Sequence, residues 1–386
     1  MLRITIDVTP ITSTPSGVGL HIFKLVESLL KIEDSESLEI GLAYQPALKN
    51  WLKGNLEFPE SLKHYSPLYK IPLPVRISNL LLDYYPKFFP RYIEPILEET
   101  NIFHGTNYTV FPYQNTQKII SIYDLSSSRY PEYVDSVARQ YSKRLTQCLK
   151  WTDAIITISE SSKQDIVEYL KFPPEKIFVT PLASRYTPQA LRNLNLENKS
   201  VDINFDFSKP YLLFVSTIEP RKNITAIIKA FNWLKQNQKI EHQLVLIGKK
   251  GWKYAPIFAE IENSHWKEEI HHLNYLSDDL VALFYAKADV FVYPSHYEGF
   301  GLPVLEAMTL GAPVVASNTS SIPEVAGDAA ILIDPNDFMQ LAEAILKLIS
   351  DRQLRQNLIN KGKARANLFS WENTAKATLK AYRSVI

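Results

Sequence analysis

Two glutamates flank a glycine-bearing turn in the segment Ser295-His296-Tyr297-Glu298-Gly299-Phe300-Gly301-Leu302-Pro303-Val304-Leu305-Glu306-Ala307. The apolar run before it, Asp289-Val290-Phe291-Val292-Tyr293-Pro294, reads as a buried strand. Gly299 and Gly301 let the backbone approach a ligand closely. Pro303 suits the first turn of a helix that continues through Glu306-Ala307-Met308. Such a turn points unpaired N–H groups outward at the positive end of a helix dipole, which suits a phosphate. Carboxylates repel phosphate, so Glu298 and Glu306 must serve another group, and the hydroxyls of a sugar or a ribose are natural partners. A phosphate loop beside two carboxylates describes a nucleotide-sugar site.

Further residues fit the same chemistry. Arg221 and Lys222 follow the apolar run Leu212–Ser216 and the turn Thr217–Pro220, where the next helix starts. Two cations there oppose the helix dipole, and an anion between them resolves the conflict. A guanidinium fork beside an ammonium suits a diphosphate; a solvated helix start is the alternative. Ser16-Gly17-Val18-Gly19 opens the first helix and forms either a second anion loop or a plain tight turn. It lacks the third glycine of the dinucleotide fingerprint. His104 ends a strand, as a ligand contact or a satisfied structural residue, and Asp124 ends another. Lys249 and Lys250 follow Gly248 and line a pocket or lie on the surface. His296, just before Glu298, touches phosphate or shapes the loop. The other histidines, His271-His272 included, lack metal-binding spacing. No Asp-any-Asp triplet is present to hold a divalent ion on a diphosphate, so metal-independent chemistry is expected.

Two glutamates with seven residues between them, around Gly-Phe-Gly-Leu-Pro, resemble the signature of the retaining family-4 glycosyltransferases of GT-B fold. Phe103-His104-Gly105, Tyr123-Asp124-Leu125-Ser126, Thr217-Ile218-Glu219-Pro220-Arg221-Lys222-Asn223, Leu246–Trp252 and Leu276-Ser277-Asp278-Asp279-Leu280 occur in the expected order. The resemblance is strong over Tyr211–Asp334 and looser before it. It implies that Arg221 and Lys222 hold the donor's phosphates and balance charge on the leaving diphosphate. Glu306 then accepts hydrogen bonds from the ribose, and Leu276 contacts the base through its backbone. Glu298, in the loop with Gly299, Phe300, Gly301 and Leu302, lies near the donor sugar, without acting as the nucleophile that retaining glycosidases use. The loop with Gly17 and Gly19 closes over the donor, and His104 approaches donor or acceptor. Relatives commonly carry His before the residue matching Asp124. This chain has Tyr123, so a histidine-specific contact there is in doubt.

The resemblance implies a hexosyltransferase that moves a sugar from a nucleotide diphosphate sugar to a glycan or lipid-linked acceptor in surface polysaccharide assembly, with no cofactor. UDP-glucose is the leading donor and GDP-mannose its rival. A non-catalytic sugar-nucleotide binding module is the alternative of another class, and intact Arg221, Lys222, Glu298 and Glu306 argue against it. A 2-epimerase, a phosphorylase and a nicotinamide dehydrogenase fit the residues less well.

The elements that must position these residues follow from periodicity. Leu2–Val8, Ile40–Tyr44, Ile102–His104, Ile119–Tyr123, Ala154–Ile158 and Ile177–Thr180 read as strands, with helices over 17–31, 132–149 and 161–170. After a polar stretch the pattern restarts, with strands at Tyr211–Ser216, His242–Ile247, Ile270–Tyr275, Val290–Tyr293, Pro313–Ala316 and Ala330–Ile333. Strand-helix alternation predicts parallel sheets covered on both faces. The fold class is therefore α/β, two Rossmann-like doubly wound domains facing a cleft. The N-terminal, acceptor-binding domain spans 1–184, the linker 185–209, and the nucleotide-sugar domain 210–370. By resemblance, the last helix, about 371–386, packs back on the first domain.

With 386 residues the chain is long enough for two cores, and a formal net charge of +1 gives nucleic acid no footing. A single cysteine, Cys148, excludes an internal disulfide and fits a reducing compartment. No signal-peptide pattern and no bilayer-length apolar run are present, so a cytoplasmic or membrane-peripheral protein is expected. In Pro67–Pro95 aromatic residues interleave with Lys70, Arg76, Lys87 and Arg91. The segment either covers the N-terminal core or meets a membrane interface or lipid-linked acceptor.

Overall fold

The computed structural model describes residues 1–12, 17–54, 56–97, 99–130, 143–187 and 205–386. The chain forms two compact units, Met1–Leu182 with Trp371–Ile386, and Ala183–Ser370.

The first unit holds a seven-stranded parallel sheet. Its strands are β1 (Leu2–Asp7), β2 (Leu38–Tyr44), β3 (Leu68–Lys70), β4 (Ile102–Gly105), β5 (Gln117–Ser121), β6 (Ala154–Thr157) and β7 (Ile177–Val179). The spatial order is β3-β2-β1-β4-β5-β6-β7, so the winding reverses between β1 and β4. Alternation along the strands feeds two cores. Ile102, Ile119, Ala154 and Ile156 pack on one face, while Phe103, Ile120 and Ile155 pack on the other. The first face is covered by the helix Val18–Leu30 and by the last helix, Trp371–Arg383, which buries Ala375, Leu379 and Tyr382 there. Thr374 Oγ1 also donates to the Pro181 carbonyl at 2.6 Å.

The second unit holds a six-stranded parallel sheet. Its strands are β8 (Tyr211–Val215), β9 (Gln243–Ile247), β10 (Ile270–Leu273), β11 (Val290–Tyr293), β12 (Val314–Ser317) and β13 (Ile331–Ile333). The order is β10-β9-β8-β11-β12-β13, with its reversal between β8 and β11. In doubly wound sheets the crevice beyond the carboxyl ends of the strands at that reversal is where ligands bind.

The structure departs from the expected elements at several places. The expected helix 161–170 is an α-helix over Glu160–Asp165 that widens into a π turn at Ile166–Leu170 and ends at Lys171 with φ 53°. Of the expected helix 132–149, residues 132–142 lie outside the described residues and 143–148 are helical. Segment 67–95 contains β3, an edge strand too short to show alternation, then the helices Val75–Tyr84 and Phe88–Tyr92. Leu82, Phe89 and Ile93 enter the core, while Leu80, Tyr84, Tyr85 and Tyr92 stay exposed. Both ends of the expected linker 185–209 pack on the second unit. Tyr186 is buried and hydrogen-bonded to the Asp278 carbonyl, and Phe205 and Phe207 pack on Tyr211 and Phe284, all in the second unit. No helix among the described residues is long and apolar enough to cross a membrane.

Candidate active site

Two loops meet at the carboxyl end of the second sheet, one leaving β8 and one leaving β11. After β8 the chain makes a 3-10 turn, Pro220–Lys222, then Asn223 in the left-handed conformation (φ 56°) starts the helix Ile224–Gln238. Arg221 and Lys222 therefore precede the α-helix instead of lying in its first turn. The loops are tied by the His296 amide to the Arg221 carbonyl (2.9 Å) and by Asn223 Nδ2 to the Pro294 carbonyl (3.1 Å).

The anion that the two cations require is within the chain. Lys222 Nζ donates to Glu298 Oε1 at 2.6 Å, Arg221 Nη1 to Glu298 Oε2 at 3.2 Å, and Arg221 Nη2 to Glu219 Oε1 at 2.9 Å. Tyr293 Oη, at the end of β11, donates to Glu298 Oε1 at 2.9 Å. Lys222, Tyr293 and Glu298 are buried. Burial pushes the Glu298 carboxyl up, but Lys222 and Arg221 beside it outweigh that and hold it down at about 2. Ser320 Oγ accepts from the Glu298 amide and Ser321 Oγ donates to its carbonyl, each at 2.9 Å, so the backbone is fixed as well.

Gly301 then caps the helix Leu302–Leu310 at φ 105°, where a Cβ would lie 2.8 Å from Ile322 Cδ1. Gly299 and Phe300 are buried, Phe300 edge-on to Phe369, and Leu302 is half-buried. Glu306, on that helix, is buried and held by Arg185. Nε donates to Oε1 at 2.8 Å and Nη2 to Oε2 at 3.2 Å. Tyr285 Oη adds a bond to Oε2 at 3.3 Å. Leu276, half-buried, lies between β10 and the helix Asp278–Lys287, which Ser277 caps. Nearby, Lys249 sits over the Tyr275 ring at 5.1 Å and Lys250 over the Phe258 ring at 4.3 Å.

In the first unit, Gly17 (φ 54°) starts the helix Val18–Leu30, and a Cβ at Gly19 would lie 2.7 Å from the Pro10 carbonyl oxygen. Ser16 lies outside the described residues. Of the two readings of His104, ligand contact or satisfied structural residue, its geometry is that of the second. The residue is fully buried, Nδ1 bonds Tyr382 Oη and Nε2 bonds Ser121 Oγ, each at 2.8 Å. Both ring nitrogens are spent inside the unit, and burial lowers its pKa to about 3. His104 thereby clasps the last helix onto β4. Tyr123 is also buried, its Oη donating to the Thr106 carbonyl at 2.6 Å.

The family model described as glycosyl transferases group 1 matches residues 196–365. O-antigen chain mannosyltransferase B of Escherichia coli is 31% identical over 392 residues, spanning 99% of this chain and 100% of that protein. The chain belongs to the group 1 glycosyl transferases. Sucrose-phosphate synthase from Thermosynechococcus elongatus, 19% identical, matches this glycosyl transferase with a TM-score of 0.75 over 100% of this chain and 99% of its own. The Anabaena protein Alr3699/HepE, in complex with UDP and glucose, is 15% identical with a TM-score of 0.69 and full coverage of both chains. These likenesses carry the fold, and the two doubly wound units are those of GT-B.

The structure of this glycosyl transferase brings Arg221, Lys222 and Glu298 into one network and sets Glu306 on the helix that follows. It adds residues that sequence reasoning missed. Arg185 was read as linker, although its charge in a polar stretch gave no local signal of a buried partner 121 residues away. His21 is buried beside Tyr123 (centroids 5.4 Å apart) and stacked on Trp371 (5.8 Å). Neither of its ring nitrogens has a partner among the described residues, and burial lowers its pKa to about 4. Its position four residues past Gly17 was the available signal.

Proposed function

We propose that the protein is a retaining, metal-independent hexosyltransferase that moves mannose from GDP-mannose to a glycan or lipid-linked acceptor in surface polysaccharide assembly. The observation that carries this reading is the network of Arg221, Lys222 and Glu298 at the β8/β11 reversal. The mannose assignment draws on the full-length mannosyltransferase relative, in place of the UDP-glucose favoured from sequence. UDP-glucose stays as the second reading because the Anabaena fold relative was crystallised with UDP and glucose.

In this reading the donor's diphosphate competes with Glu298 for Arg221 and Lys222. Once the cations turn to phosphate, Glu298 is released to accept from the sugar's hydroxyls. Gly299, Phe300, Gly301 and Leu302 bring backbone N–H groups toward the same anion. Leu276 meets the base through its backbone. The anomeric C–O bond to phosphate breaks as the acceptor oxygen attacks from the same face. The acceptor's proton passes to the departing phosphate oxygen. Positioning and neutralisation of the leaving group then supply the catalysis. Arg221, Lys222 and the helix N-terminus provide the positive charge, so no metal and no cofactor is assigned.

For the acceptor, a cavity of about 750 Å³ beyond the carboxyl ends of β1 and β2 suits a saccharide. Tyr44, Gln45, Phe58, Arg76 and Asn79 line it, offering aromatic faces and polar groups. The exposed Leu80, Tyr84, Tyr85 and Tyr92, with Arg76, Lys87 and Arg91, suit an anionic bilayer surface on the cytoplasmic side. The test is incubation of the enzyme with each donor and octyl α-mannoside, following nucleotide release and product mass. GDP release with a hexosylated product is expected from GDP-mannose. Consumption of neither donor would contradict a transferase of this kind.

A further inference from the structure

We propose that Arg185 is a positioning residue for the donor's ribose, holding the Glu306 carboxylate ionised and aimed. The inference rests on the reading of Glu306 as the ribose acceptor and assigns Arg185 a part in it.

Glu306 is 3% exposed, and burial pushes its carboxyl up. A protonated carboxyl would lose charge and acceptor capacity where a ribose hydroxyl needs both. The groups that face it are Arg185, Tyr186, Asp278 and Tyr285. Tyr186 and Tyr285 are held neutral by burial, and Asp278 disfavours ionisation. Arg185 is the cation of the set. Its Nε and Nη2 engage one carboxylate oxygen each, the two-pronged geometry that fixes the plane of the acceptor as well as its charge.

The pairing leaves room for a ligand. An ionised carboxylate has about four acceptor positions, and Arg185 and Tyr285 use three, two of them on Oε2. Oε1 keeps one. Arg185 is itself held, by Nη1 to Asp278 Oδ1 at 3.0 Å and by stacking over the Tyr186 ring at 5.1 Å. Tyr186 Oη donates in turn to the Asp278 carbonyl at 3.2 Å. The clamp therefore costs little further ordering when the nucleotide arrives.

The experiment titrates GDP, UDP and their 3′-deoxy analogues into the enzyme. The wild type should prefer the ribose form of its nucleotide by about tenfold or more, the worth of a hydrogen bond to a charged group. Arg185→Met should lose most of that preference at neutral pH and regain it as pH rises, because a carboxyl without its cation ionises later. Arg185→Lys, which keeps the charge and folds most conservatively, should retain part of the preference at neutral pH. In a Glu306→Gln background, Arg185→Met should change the preference no further. Undiminished preference in Arg185→Met, or a further loss in the Glu306→Gln background, overturns the role of Arg185. Absence of any preference in the wild type would instead remove the ribose reading of Glu306, and the proposal with it.

Discussion

Lys222 Nζ lies 2.6 Å from Glu298 Oε1, and both residues are buried. A buried pair of this kind is expensive to break from one side, because the survivor is left charged and unsolvated. The Glu298→Ala variant should therefore lose about 3–5 kcal/mol of stability, read by denaturant unfolding of the second unit. The pair also sets a pH window. The carboxyl falls from an ordinary 4.5 to about 2 in the fold, so its stabilisation is present above about 4.5 and is lost as pH drops through about 2. Melting temperature across pH 5 to 2 checks it, and the Glu298→Gln variant should flatten that part of the profile.

His104 and Tyr382 make a prediction of the opposite kind. Replacing His104 by Ala strands Tyr382 Oη and Ser121 Oγ in the core, at a cost of about 1–3 kcal/mol for each group left unsatisfied. Turnover per folded molecule should stay close to wild type, measured as kcat against the folded fraction. A large loss of kcat with unchanged stability would restore the catalytic role that the sequence implied. Because the folded pKa is lowered from 6.5 to about 3, neutral His104 adds stability above pH 6.5 that is lost as pH falls toward 3. His21, lowered to about 4, acts in the same direction.

These two pairs show where sequence was not sufficient. The doubly wound units were legible because most strands are apolar runs of a few residues alternating with amphipathic helices, a local pattern that the three-residue β3 lacks. The turn at Gly301 was legible because φ 105° admits little but glycine. The partner of Arg185 was not, since it lies 121 residues away with no periodic signal between. Nor was the burial of His104, which depends on a helix 278 residues further along. Strand-end histidines look alike in sequence whether they face a ligand or a tyrosine. The self-neutralised state of Arg221 and Lys222 was hidden for the same reason: an anion was required, and sequence did not say whether ligand or chain supplied it.

Stereochemistry and metal use form a joint prediction. With the active donor, the glycosidic bond formed should have the anomeric configuration of the donor, read by proton NMR of the product. Chelator should leave the rate unchanged. Inversion, or a loss of rate on chelation that Mg²⁺ or Mn²⁺ restores, would contradict a same-face displacement driven by Arg221 and Lys222.

The exposed Tyr84 and Tyr85, 71% and 69% accessible, predict a membrane preference. Vesicles containing phosphatidylglycerol should retain the protein in co-sedimentation, and pure phosphatidylcholine should retain it less. Tyr84→Ser with Tyr85→Ser, or Arg91→Ala, should weaken retention severalfold without altering nucleotide binding. Equal retention by both vesicle types would remove the bilayer from the account.

The central claim is that Arg221 and Lys222 hold the donor diphosphate, and it is tested most directly by calorimetric titration of GDP and UDP, with chelator present, into wild type, Arg221→Ala and Lys222→Ala. One nucleotide should bind the wild type with micromolar affinity, and each substitution should weaken it by about tenfold to a hundredfold, as loss of a charge-assisted hydrogen bond requires. Wild-type affinity in both variants, or no binding of either nucleotide to the wild type, would contradict it.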